Sequence, residues 1–167
     1  TAQVAAIETA DLVTLTTTQI GALTAAQIKS LTTGQIAALS STQVQGLKAT
    51  QVAAFATDQI AKLGTSNTQA LTSVQVKALT TAQLDAMSTA QIAVLDTADV
   101  ASLSATQLKS LSTASIVALT TDQITSLSAT QIAALGTGQV AAIETADLVK
   151  LTTTQIGALT AAQIKSL

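Results

Sequence analysis

One phrase of eight residues, T-x-x-Q-I-x-x-L, runs through the chain without a single insertion or deletion. Counting positions modulo eight, position 7 is Leu except at Ile7, Phe55, Met87 and Ile143, and position 4 is Ile, Val or Leu except at Thr68. Position 3 is Gln except at Asp11, Asn67, Asp99, Ser115 and Asp147, and position 0 is mostly Thr or Ser. No Lys, Asp or Glu falls at position 4 or 7. A register this strict is the sequence signature of a repeat architecture, in which each unit buries its apolar face only against its neighbours.

The octad excludes several folds. In one continuous α-helix, eight residues turn the chain by about 800°, so the apolar stripe would drift roughly 80° per octad and no neighbour could cover it. Coiled coils need seven- or eleven-residue periods. In a strand, positions 4 and 7 point to opposite faces, which separates the two large apolar residues.

A short helix that restarts in every octad satisfies the pattern. In Leu15-Thr16-Thr17-Thr18-Gln19-Ile20, Thr16 is the N-cap and Gln19 is N3, forming the T-x-x-Q capping box that satisfies two otherwise unpaired backbone N–H groups. Leu15 and Ile20 then occupy the two positions of a hydrophobic staple. The same reading makes Thr24/Gln27 and Thr80/Gln83 capping pairs. It also gives a continuous spine that includes Ile20, Leu23, Ile28, Leu31, Leu79, Ile132 and Leu135. Ser40, Ser88 and Asp96 are expected to cap well, Gly64 and Gly136 tolerably, and Glu8, Lys48, Ala56 and Glu144 poorly. The predicted fold is all-α: an α-solenoid with one very short helix per octad. A β-solenoid is the alternative, favoured by Thr and Ile/Val and disfavoured by Ala, Gln, Leu and the lack of Gly turns. With two octads per coil and a rise of about 10 Å, residues 1–167 would span on the order of 100 Å.

A longer repeat overlies the octads. Residues 1–31 recur as 137–167 with two differences, Ala2/Gly138 and Thr14/Lys150, at an offset of seventeen octads. An odd number of octads makes the single octad the interchangeable unit. Residues 1–167 read as one continuous array, and because Thr1 already lies inside the pattern, as an excerpt of something longer.

Composition narrows function mainly by removal. The chain has no Cys, His, Pro, Trp or Tyr, all seven basic residues are Lys, and Phe55 is the only aromatic. Thiol chemistry, Cys-based metal sites and imidazole acid–base catalysis are therefore excluded, and no cofactor motif is present. A net charge of −2 with no aromatic stacking platform argues against nucleic-acid binding. Mean hydropathy is +0.51, yet Thr, Ser or Gln interrupts the apolar residues too often for a membrane span. The acidic pairs Glu8/Asp11, Asp96/Asp99 and Glu144/Asp147 could be weak Ca²⁺ ligands. They also fit first-turn acids favoured by the helix dipole, and a calcium site needs six or more oxygens. Asn67 and Thr68 mark the one irregular octad, GTSNTQAL, where Thr68 can bond to backbone.

The octads, as in LTTAQLDAM at 79–87 and LSATQIAAL at 127–135, resemble the T-x-x-Q-[IV]-x-x-L arrays of very large secreted or surface-attached bacterial proteins, where they form stalk-like regions. The resemblance implies an extracellular structural or adhesive role, with cell-surface attachment through regions outside this chain. A spacer or filament-forming scaffold with no enzymatic activity is the expected function. Self-association head to tail is the expected partnership. Regularly spaced Thr hydroxyls leave ice binding as the alternative, weakened by Ala25, Ala49, Ala105, Ala129 and Ala161 at position 1.

Overall fold

In the computed structural model, residues 2–167 are described, and they form twenty-one α-helices with no strand among them. The all-α solenoid is therefore the fold, and the β alternative is set aside. Each helix has four to six residues and begins just after position 0.

The eight-residue period has a simple local cause. In the octad around helix Thr17–Ala22, the helix ends at Leu23 with φ −61° and ψ 140°, and Thr24 follows extended at φ −72° and ψ 158°. Two extended residues, at positions 7 and 0, re-aim the chain before the next helix starts. Helices this short are unstable in isolation, so each depends on its N-terminal cap and on its neighbours.

The capping box forms at most junctions. The Thr80 hydroxyl accepts from the Gln83 N–H at 3.2 Å, and the Gln83 side-chain carbonyl accepts from the Thr80 N–H at 2.8 Å. Thr16/Gln19 and Thr24/Gln27 make the same pair. Ser40 and Ser88 cap likewise. Lys48, Ala56 and Gly136 keep only half of the box, in which Gln51, Gln59 and Gln139 accept from their N–H groups. Asp96 departs from expectation: its side chain makes no cap bond, and the Asp99 N–H donates to the Asp96 main-chain carbonyl at 2.9 Å instead. The cause is the residue at N3. Asp99 replaces Gln there, so the reciprocal half of the box is missing and a second carboxylate stands where it would repel the first. Glu8 and Glu144 pair with Asp11 and Asp147 in the same way.

Each helix packs on the one three octads away, as in the series Thr57–Ala61, Thr81–Ala86, Ala105–Ser110, Ala129–Ala134 and Thr153–Gly157. One coil is therefore three octads, not two. Three short helices are needed to close a ring around a Leu/Ile interior, because each junction turns the chain through only two extended residues. With helices about 10 Å apart, the twenty-one helices stack into seven coils spanning roughly 70 Å, shorter than two-octad coils would give.

The interior is one continuous column. Ile20, Ile28, Leu31, Leu79, Ile132 and Leu135 are buried in it, Leu23 is half-buried against it, and Phe55 occupies position 7 as a large core side chain. Chain packing is tight enough at one place to require glycine. A Cβ on Gly46 would come within 2.8 Å of the Thr17 Cβ on the preceding coil.

Candidate functional site: a glutamine ladder between coils

Position 3 does more than cap. Gln83 is only 2 % exposed, and its amide nitrogen donates to the carbonyls of Val52 at 2.9 Å and Phe55 at 2.8 Å, on the preceding coil. The same reach, to residues 31 and 28 positions earlier, is made by Gln43 to Leu12 and Leu15, by Gln51 to Ile20 and Leu23, and by Gln163 to Ile132 and Leu135. One amide group thus closes its own helix start with its oxygen and ties its coil to the previous one with its nitrogen. The carbonyls it satisfies would otherwise be buried without a donor.

Glutamate would serve the capping half equally well but has no hydrogen to donate across coils. This second role went unread in the sequence, although the signal was there. A capping box admits Glu at N3, yet both glutamates of the chain, Glu8 and Glu144, sit at position 0 and none at position 3.

Where position 3 is short, a hydroxyl on the preceding coil closes the gap. Ser41 donates to Asn67 at 3.0 Å, Ser73 to Asp99 at 2.5 Å and Thr121 to Asp147 at 2.6 Å, each from position 1 and each 26 residues earlier. Asp99 is left with its second carboxylate oxygen buried and without a partner. Burial pushes the Asp99 carboxyl above its ordinary range, and the nearby Asp96 adds to the rise, against the opposing hydrogen bond from Ser73.

The irregular octad 64–71 is internally matched. Gly64 has φ +78°, the only positive φ among the described residues, where every other cap residue is extended at negative φ. Buried Thr68 donates its hydroxyl to the Gly64 carbonyl at 2.7 Å and accepts from the Gln91 amide at 3.1 Å. Asn67 donates to the Leu39 carbonyl at 2.7 Å, taking over one rung of the ladder. Thr68 thus carries polarity into the spine with both of its hydrogen-bonding roles filled.

Nothing in the geometry assembles a reaction centre from these groups. Among the described residues, no group of three or more acidic side chains is placed to hold a metal ion. Asp99 and Asp147 of the candidate calcium pairs turn inward to Ser73 and Thr121, and Asp96 and Glu144 remain exposed. No helix is long and apolar enough to cross a membrane.

No curated protein matches the chain significantly. The model of the ALTTAQ repeat family, by contrast, matches residues 4–41, 34–65, 68–97, 92–129 and 140–167. Together these segments take in most of the array, and the residues that define the match are the ones that build the ladder: the cap at position 0, Gln at position 3 and Leu at position 7. The chain belongs to the ALTTAQ repeat family.

Proposed function

We propose that this array is a structural spacer in an extracellular bacterial fibre, stalk or adhesin, with its length set by the number of octads and with no catalytic activity of its own. The observation that carries the reading is the glutamine ladder. It joins each coil only to its neighbours and repeats with the same offsets along the chain. Polar capability is spent inside the rod, on caps and rungs, which leaves a surface of small hydroxyl, Ala and Lys side chains. The test is dimensional. Adding or deleting three octads should change the maximum dimension in small-angle X-ray scattering by about 10 Å. A compact particle of unchanged dimension would contradict the spacer. Surface labelling of intact source cells with an antibody to the array tests the location.

Ice or another ordered surface is a second reading with one observation in its favour. Three-octad coils sort the position-1 residues into three columns, and one of these is an unbroken run of hydroxyls: Thr17, Ser41, Thr65, Thr89, Thr113 and Thr137. Ala25, Ala49, Ala105 and Ala129 fall on the other two columns. Thermal hysteresis in a solution of the purified chain would support this reading, and its absence would remove it.

A further inference from the structure

We propose that the outer face of the helices in residues 145–167 is a docking surface for the first coil of a second copy of this chain, in one defined register. The inference deepens the scaffold reading and rests on it. Inside the rod, the position-4 residues of successive coils are at most a few per cent exposed. On the last coil Ile156 is 38 % and Ile164 48 % exposed, although both stand at spine positions. At the opposite face, Ile7, Leu15 and Leu23 are only half-buried at position 7. The two faces expose different halves of one contact that the chain already makes at each internal junction.

The hydrogen-bonding groups divide in the same way. Gln19 and Gln27 use their side-chain oxygens on Thr16 and Thr24, but their amide nitrogens have no acceptor, because no coil precedes them. By the offsets of every other rung, a copy set one full array ahead places the Gln19 amide on the Ile156 and Leu159 carbonyls, and the Gln27 amide on the Ile164 carbonyl. The twenty-one octads make seven whole coils, so such a copy continues the three columns without a break. Asp11 fixes the register further. By the rule that joins Asp147 to Thr121 and Asp99 to Ser73, its carboxylate meets the Thr153 hydroxyl. Sliding the copy one octad outward puts Asp11 against Ala161, which has no hydroxyl.

A contact between two different faces does not close on itself, so it propagates as a filament of uniform width. Ile164→Lys tests it well: the side chain is half exposed in the single chain, so folding survives, while docking would bury an unpaired charge. Sedimentation velocity over a wide concentration range should show open-ended association of the 167-residue chain, weakened by about tenfold or more in Ile164→Lys and in Gln19→Glu. A chain that stays monomeric at high concentration, or closes as a discrete dimer, overturns the docking. Scattering from the dilute chain is read alongside. A rod of about 70 Å that does not associate would leave the spacer reading standing and sink only this one, whereas a compact particle would sink the spacer reading first.

Discussion

The amide nitrogen of Gln83 lies 2.8 Å from the carbonyl oxygen of Phe55, one coil below it, while the amide oxygen of the same side chain takes the N–H of Thr80. Each half can be removed separately. Gln83→Glu keeps an acceptor for Thr80 but presents a buried carboxylate to the Val52 and Phe55 carbonyls. It should cost about 2–4 kcal/mol, through lost rungs and an uncompensated charge. Thr80→Ala loses one cap bond, at a cost of about 1 kcal/mol. Amide hydrogen exchange across residues 52–86 compares them directly. Equal effects from the two changes would show that Gln83 acts only as a cap.

Asp99 makes the array sensitive to pH in a predictable direction. Its carboxyl is raised above 3.8 because burial disfavours the charged form, and the exposed Asp96 carboxylate in the same helix start pushes the same way. The fold therefore favours the protonated state. The contribution is fully present below the ordinary carboxylate value and is lost as pH rises through the raised one. Protection of the coils around Ser73 and Asp99 should increase on acidification through that window. Asp99→Asn should hold the protected level at neutral pH and flatten the profile. A profile that rises with pH in the parent chain would contradict this.

Gly46→Ala should destabilise the junction it occupies by about 1–3 kcal/mol, since the new methyl meets the Thr17 Cβ and neither backbone can move away cheaply. Adding Thr17→Gly should recover most of that loss, measured as the midpoint of chemical denaturation. Gly64 gives a contrasting case. A Cβ there meets nothing within 4 Å, and the cost of about 1 kcal/mol for Gly64→Ala comes from its φ of +78° alone. No change at Thr17 should relieve it.

Leu79 and Lys77, two residues apart, define inside and outside. Leu79 is 3 % exposed, and Leu79→Asp buries a charge in the spine, so it should unfold the neighbouring coils. Lys77 faces water, and Lys77→Asp should stay within about 0.5 kcal/mol of the parent. Circular dichroism of the two variants separates them.

The local unit was legible in the sequence because its causes are local: a cap at position 0, a box partner three residues on, and two apolar residues at a spacing that only a restarting helix can use. What was not legible depends on residues about thirty apart. Nothing in TTAQLDAM says that Gln83 will also meet Val52 and Phe55. The number of octads per coil follows from the turn taken at residues such as Leu79 and Thr80, whose extended backbone angles are shared by many loops. Asp96 shows the same limit on a smaller scale. It is a good cap by residue type, but its side chain makes no cap bond when Asp99 rather than Gln stands at N3.

The three-octad coil is the central claim, and one distance tests it most directly. Ala82 and Thr154 are both exposed and lie in helices Thr81–Ala86 and Thr153–Gly157, which stack through two intervening helices. Spin labels on cysteines placed at these two positions should report, by pulsed electron–electron double resonance, a narrow distribution centred near about 30 Å, three coil spacings. A distance near 45 Å would mean two octads per coil, and one of roughly 100 Å a continuous helix. Either result would contradict the architecture and the glutamine ladder built on it.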